Sequence, residues 1–311
     1  MNVQFWGVRG SIPTSATPSR IKSKISAIVE QITPEDIESS ESRERFLANL
    51  PPWLFGTVGG NSPCVSVSFD DSRECIVFDC GSGIREMGLA QEMAKMNHYH
   101  IFLSHFHWDH IQGLPFFLPG YEDKNKLDFY SPLGGLEGII SGQMTDPYFP
   151  VTLDAMTAAK TYHYMEKEFK ICGRSVSAKK MNHPGGSWAY CVNENGKRLI
   201  YATDVELTSD DFIKNEENIS FFQNADLIII DSQYTLGEAI EKYNWGHSAF
   251  SMAVDFAANW NIKHMVMFHH DPTYDDHKLY GLLQSAKWYI ERMSLKEIEL
   301  TLAVEGLKIT I

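Results

Sequence analysis

Residues 104–110 read Ser104-His105-Phe106-His107-Trp108-Asp109-His110, directly after the apolar segment Tyr99-His100-Ile101-Phe102-Leu103. Four candidate metal ligands thus fall within six positions, where a strand leaves the core. In an extended or turning backbone, alternate side chains point the same way. His105 and His107 can therefore grip one ion together, while Asp109 and His110, just past the turn, face a second ion beside it. Neutral imidazoles with carboxylates suit zinc, iron or manganese. A coincidental cluster on a polar loop is the competing explanation. The strand in front of the run and the partners found downstream oppose it.

A two-metal site needs more than four ligands, and three later positions supply them. His183 lies in Met181-Asn182-His183-Pro184-Gly185-Gly186, Asp204 in Tyr201-Ala202-Thr203-Asp204-Val205-Glu206, and His269 in Val266-Met267-Phe268-His269-His270-Asp271-Pro272. Each is a polar group at the end of an apolar strand, where side chains are held stiffly. Singly, such a residue is more often a cap or turn residue; the repeated context gives the three their weight. His270 competes with its neighbour, and His269 is preferred as the first residue off the strand. His98, His100, His163, His264 and His277 read as surface or satisfied core residues.

The rest of the chain sets bounds on class. With 311 residues, 43% hydrophobic and 22% charged, it has the make-up of a globular protein of one large domain or two small ones. A net charge of −13 makes it a poor bulk partner for nucleic acid or an anionic membrane. The start Met1–Gly7 reads as a strand rather than a signal peptide. No apolar run approaches the roughly 20 residues of a membrane span. The five cysteines, Cys64, Cys75, Cys80, Cys172 and Cys191, have no C-x-x-C spacing and are expected to be free, buried thiols in a reducing cytoplasm.

Along the chain, 15–55 changes character. It is rich in Ser, Pro, Lys and Glu, carries a helical pattern near Ile21-Ile25-Ile28-Val29, and reads as a partly helical insertion. Strands are expected at 65–69, 75–78, 99–103 and 127–130, with helices at 84–96 and 135–144. A second run of strands covers 161–171, 176–181, 187–192 and 199–202, with the turn Asn193-Glu194-Asn195-Gly196 between two of them. Strands at 227–230 and 264–268 then alternate with helices at 248–260 and 279–293, and 298–302 and 307–311 close the chain. Mixed strands in two halves, with helices at intervals, predict an α/β fold: two facing sheets with helices outside, in four layers.

Together, the H-x-H-x-D-H run, His183, Asp204 and His269 resemble the motifs of the metallo-β-lactamase superfamily, and Phe78-Asp79-Cys80-Gly81-Ser82-Gly83 resembles that family's early strand-turn. The resemblance spans Phe5 to Ile311 apart from 15–55. It implies one αββα sandwich over residues 1–311, with a dinuclear site along one edge. His105, His107 and His183 would hold the first ion, Asp109, His110 and His269 the second, and Asp204 would bridge both. A carboxylate can span ions about 3.5–4 Å apart.

Asp at 204, where dinuclear β-lactamases of this superfamily have Cys, argues against that branch. His at 107, where the oxygen-reducing di-iron branch has Glu, argues for hydrolysis. Trp245-Gly246-His247-Ser248-Ala249 is similar to the Gly-His-Ser element of the ribonuclease Z and phosphodiesterase branch, in which His247 would protonate the leaving oxygen. The plain alternative is a helix-start residue with Ser248 as the cap. The expected catalytic pair is therefore His247 and Asp109, the latter also a ligand.

The expected activity is hydrolysis of a phosphodiester by a hydroxide shared between two divalent ions, zinc before manganese or iron. Four positive charges on the ions against about three negative ones on Asp109, Asp204 and hydroxide leave the site near +1, so the acidic total does not forbid an anionic substrate. A small substrate such as a cyclic nucleotide comes first, because no Gly- and Pro-rich basic arm like that of ribonuclease Z is visible. RNA processing is second, and thioester or lactone hydrolysis third. The resemblance implies a homodimer, and no membrane partner is expected. Trp53, Phe55, Phe116, Phe117, Tyr148 and Phe149 are the candidate aromatic walls of the cleft.

Overall fold

The computed structural model describes all residues except 167, 296 and 297. The chain alternates between strand runs and helices as two halves. The first half gives β1 (Asn2–Gly7), β2 (Cys64–Ser68), β3 (Glu74–Phe78), β4 (His98–Phe102), β5 (Lys126–Ser131) and β6 (Ala159–Tyr164). The second gives β7 (Glu168–Ile171), β8 (Arg174–Met181), β9 (Ser187–Glu194), β10 (Lys197–Ala202), β11 (Leu227–Asp231), β12 (His264–Phe268) and β13 (Glu299–Leu302), and β14 (Lys308–Thr310) returns to the first. The two sheets run β14-β1-β2-β3-β4-β5-β6 and β13-β12-β11-β10-β9-β8-β7. In each sheet an antiparallel half meets a parallel half, β3 to β6 in one and β10 to β13 in the other.

Burial explains the placement. β11 and β12, Leu-Ile-Ile-Ile-Asp and His-Met-Val-Met-Phe, are buried at every position, as central parallel strands covered on both faces must be. The edge strands β6 and β14 bury no residue and carry Lys, Thr and His, which blunts edge pairing. Between the sheets, Phe78 stacks on Tyr201 with ring centroids 4.8 Å apart. Both rings are fully buried, and burying each is worth about 1.5–3 kcal/mol.

Parallel strands need crossovers, and helices supply them. Residues 15–55 fold as α1 (Pro18–Val29), α2 (Pro34–Ile37), α3 (Ser40–Asn49) and α4 (Pro52–Phe55). The crossovers and outer layers use α5 (Gly83–Leu89), α6 (Trp108–Ile111), α7 (Leu136–Gln143), α8 (Glu216–Phe222), α9 (Leu236–Glu241), α10 (Phe250–Asn259) and α11 (Asp276–Arg292). The arrangement is the four-layer α/β sandwich, and no described helix is long and apolar enough to cross a membrane.

Two local expectations need correction. The expected strand 161–171 is two strands, β6 and β7, one in each sheet, because the chain crosses between the sheets there. The expected helix 84–96 stops at Leu89, since Ala90 is extended (φ −72°, ψ 127°) and only a short 3₁₀ turn follows. In 15–55, α1 buries none of its residues, and the segment is held against α11 by Lys24, which pairs with Asp276, and by α4, which packs there with Trp53 edge-on to His277 at 4.6 Å.

Candidate metal centre

Strand direction builds this site. Asp79 follows β3, the Ser104–His110 run follows β4, His183 follows β8, Asp204 follows β10, Asp231 ends β11 and His269 follows β12. All leave the carboxyl ends of their strands, where open α/β sheets place their ligands. In-register pairing of Ala202 with Ile230, and of Asp231 with Phe268, holds three of these ends level. The loop after β1 closes the same edge, because Arg9 bridges to His270 and Gly10 N–H donates to the His270 carbonyl at 2.9 Å. Asp79, Asp204 and His269 have φ near 60°, 50° and 60°, which turns each chain sharply as it leaves its strand.

Two donor sets result. His105, His107, His183 and Asp204 form one; Asp109, His110, His269 and Asp204 form the other. In the first, Nε2 of both His105 and His183 lies 3.8 Å from Asp204 Oδ1, and His183 Nε2 is 3.3 Å from His107 Nδ1. In the second, Nε2 of His110 and of His269 each lies 3.1 Å from Asp204 Oδ2. Asp109 Oδ2 is 3.1 Å from His110 Nε2 and 3.3 Å from His269 Nε2. The two Asp204 oxygens therefore serve different sets.

The opposite ring nitrogens are fixed by partners that sequence reasoning missed. His183 Nδ1 donates to the Gly246 carbonyl at 2.9 Å, His110 Nδ1 to Asp79 Oδ2 at 2.8 Å, and His105 Nδ1 to Ser104 Oγ at 3.1 Å. Asp79 also accepts from Tyr201 Oη at 2.8 Å. Such partners set tautomer and ring orientation. Close backbone approach matters at two glycines. A Cβ on Gly246 would fall 2.1 Å from His183 Nδ1, and one on Gly10 would fall 2.5 Å from the His269 ring.

The fit to cations is testable on this chain. Nε2 of His105 and of His110 is buried without a hydrogen-bond partner. A buried imidazole nitrogen without a partner carries a penalty unless something else satisfies it. Burial resists charge on His110, but Asp109, Asp204 and Asp79 outweigh it and hold that imidazole well above its usual range. The same burial, reinforced by His110, takes His105 well below it. Burial would raise Asp204, yet His110, His269 and His105 hold it well below the ordinary carboxylate range. Asp109, Asp204 and Asp79 thus favour positive charge beside His110, while His105 presents a neutral lone pair, as a metal ligand does.

His269, not His270, reaches the cluster. His270 is turned away and donates from Nε2 to the Ala303 carbonyl at 2.8 Å. His247 faces the same cavity, about 390 Å³ in volume, beside Ser11, Phe106 and Trp108. Its Nδ1 donates to Asp231 Oδ2 at 2.6 Å. Burial works against its charge, but Asp231, Asp204 and Asp109 raise its pKa. Ser248 is not the helix cap, which is Ala249; Ser248 N–H donates to Asp231 and its hydroxyl to the Val205 carbonyl. The expected aromatic walls are also displaced. Trp53 and Phe55 line cavities at residues 15–55 and Phe117 is fully buried, while Phe106 and Trp108 line the metal-centre cavity.

A sandwich with such a centre along one edge defines a class of metal-dependent hydrolases. The chain belongs to the beta-lactamase superfamily, whose domain model matches residues 74–270. A ribonuclease Z of Picrophilus torridus is 25% identical over 276 residues, covering 74% of this chain and 85% of that protein. The fold is similar to human tRNase Z, short form, with TM-score 0.64, 19% identity, and 100% and 99% of the two chains covered. It is also similar to Zn(2+)-bound PqqB from Methylobacterium extorquens, with TM-score 0.66, 15% identity and full coverage of both chains. The chain is thus a metallo-β-lactamase superfamily hydrolase with ribonuclease Z homologues.

Proposed function

We propose that this chain hydrolyses a small phosphodiester, such as a cyclic nucleotide, with His247 as proton donor to the leaving oxygen. The observation that carries the reading is the pairing of two donor sets sharing Asp204 with a histidine backed by Asp231 at the same cavity. His105, His107, His183 and Asp204 would hold one ion, and Asp109, His110, His269 and Asp204 the other. Two divalent ions, zinc by the nitrogen and oxygen donor set, supply Lewis acidity and ionised water at neutral pH when bound.

The chain's own residues do the remaining work. Asp231 fixes the His247 ring and keeps Nδ1–H engaged, which leaves Nε2 to carry the proton into the cavity. Ser11 N–H donates to Asp109 Oδ2 at 2.8 Å and holds that carboxylate against the β1 loop. Trp108, 83% exposed, and Phe106 offer ring faces for a base or aryl group.

RNA processing is the second reading, favoured by the ribonuclease Z homologues. Against it stands the net charge of −13. Thioester or lactone hydrolysis would leave His247 without a task. The test is a panel of 2′,3′- and 3′,5′-cyclic nucleotides, precursor transfer RNA, a thioester and a β-lactam, with zinc, manganese or iron added. Turnover of a cyclic nucleotide is expected; turnover of the RNA or the thioester alone overturns the small-diester reading.

A further inference from the structure

The end of the sandwich opposite the candidate metal centre gathers a second set of ligand-type side chains. β3 and β4 begin there with Glu74, His98 and His100, and β5 adds Asp128 and Tyr130. From the facing sheet, the β7–β8 hairpin brings Cys172 across. Glu74 Oε2 lies 2.8 Å from His100 Nε2, 2.8 Å from Cys172 Sγ and 3.4 Å from His98 Nδ1. Glu74, His100 and Cys172 present one donor atom each within 4.8 Å of one another.

Hydrogen bonding alone explains this poorly. One carboxylate oxygen is crowded by a thiol and two imidazoles, and a thiol is a weak donor. The hairpin adds an independent observation. Its two-residue turn is Cys172-Gly173, with φ 49° and 78°. The β9–β10 turn has the same shape, φ 50° and 79°, and fills it with Asn195-Gly196, the pair such turns favour. Cysteine in the left-handed conformation costs energy that Asn would not. The strain places sulfur against Glu74 and His100, and Arg174 pins the turn by donating to the Cys172 carbonyl at 2.6 Å.

We propose that Glu74 Oε2, His100 Nε2 and Cys172 Sγ form a further metal site that takes one zinc ion and ties the two sheets together at this end. The mixed nitrogen, oxygen and sulfur set suits zinc, and water takes the fourth position on the open side. The supporting hydrogen bonds are those a ligating histidine uses. His100 Nδ1 sits 3.1 Å from Tyr130 Oη, and His98, tilted against His100 with ring centroids 4.1 Å apart, is held by Asp128 at 2.8 Å. Burial and Glu74 push the Cys172 thiol up, so it is protonated before the ion arrives. Binding forms the zinc–sulfur bond and releases that proton to solvent.

The site does not depend on the function proposed above, and its test separates the two. Zinc-loaded protein, freed of loose metal by gel filtration, is assayed for zinc per chain. Cys172→Ser and Glu74→Gln should each hold one zinc fewer than wild type. Cobalt(II) loading gives a second readout, because the His and Asp centre has no sulfur donor. A thiolate-to-cobalt absorption band is expected in wild type and should vanish in Cys172→Ser. An unchanged zinc count in both variants, with no such band in wild type, overturns the site. A band that persists in Cys172→Ser assigns the sulfur elsewhere and overturns it equally.

Discussion

His247 Nδ1 stands 2.6 Å from Oδ2 of Asp231, and the His247 ring stacks on that of His269 with centroids 4.9 Å apart. Asp231 is fully buried, and its other oxygen accepts from the backbone N–H of Ser248 and of Gln233. The histidine is therefore held by a carboxylate that has no other geometry open to it. A proton donor matters most when the leaving oxygen departs poorly. His247→Ala should lower kcat about 10²–10⁴-fold on a diester with an alkyl leaving group. It should affect bis(p-nitrophenyl) phosphate much less, since nitrophenolate leaves without a proton. Equal losses on both substrates would assign His247 a structural task instead.

Asp204 is the residue common to both donor sets, and each of its oxygens serves one of them. Asp204→Asn keeps the shape but offers only one oxygen acceptor. It also removes a carboxylate that faces the ring nitrogens of His105, His110 and His269. The variant is expected to lose at least one metal ion per chain and to lose activity about 10³-fold or more. Metal analysis after gel filtration, beside turnover, checks both.

Gly246 approaches His183 so closely that any side chain must displace the ring, and its φ of 89° disfavours every other residue. Gly246→Ala should weaken metal retention in the first set while leaving Asp109, His110 and His269 in place. Competition with a graded chelator would show one ion lost early and the other held as in wild type. Simultaneous loss of both ions would mean that the sets act as one.

The metal-centre residues stand out in the sequence because each is a polar group closing an apolar strand, a pattern that survives without coordinates. What orients them does not stand out. Asp79 and Asp231 also end strands, yet nothing local shows that they face His110 and His247, since those contacts cross 31 and 16 positions of chain. The step from β6 to β7 does not stand out for a different reason: no Gly, Pro, Asn or Asp between 161 and 171 marks it. Aromatic content likewise could not tell Phe117, sealed under the first sheet, from Phe106 and Trp108 at the cavity. The four layers themselves followed from the order of strands and helices, because parallel strands demand crossovers.

Trp108 follows directly on His107 and projects into solvent with 83% of its surface exposed, while lining the metal-centre cavity. An indole so exposed contributes little to the core, so Trp108→Ala should leave the melting temperature within about 1 °C of wild type. Stacking on a base is worth about 1–3 kcal/mol. The variant should therefore raise KM for a nucleotide or aryl diester about 5- to 150-fold, with kcat nearly kept. A diester carrying only methyl groups should show no change in KM. A matching rise for that substrate would mean that Trp108 shapes the cavity rather than stacking.

Glu238 gives a pH dependence remote from the metal centre. It closes the capping box of α9 with Thr235, receives the Tyr274 hydroxyl and pairs with Lys278 at 2.9 Å. Burial acts to raise its pKa, but these partners outweigh it and take it from 4.5 down to about 2. Because the folded value is depressed, the carboxylate contributes its stability above the unfolded value of 4.5, and that contribution fades as pH falls toward 2. Glu238→Gln lacks the charge at every pH. At pH 7 wild type should melt about 1–2 °C above the variant for a network worth about 1 kcal/mol. Between pH 5 and pH 3 the two melting curves should converge, because wild type alone loses an ionised partner. A gap that stays constant over that range would show that Glu238 acts through shape and hydrogen bonding, with its charge contributing nothing to the fold.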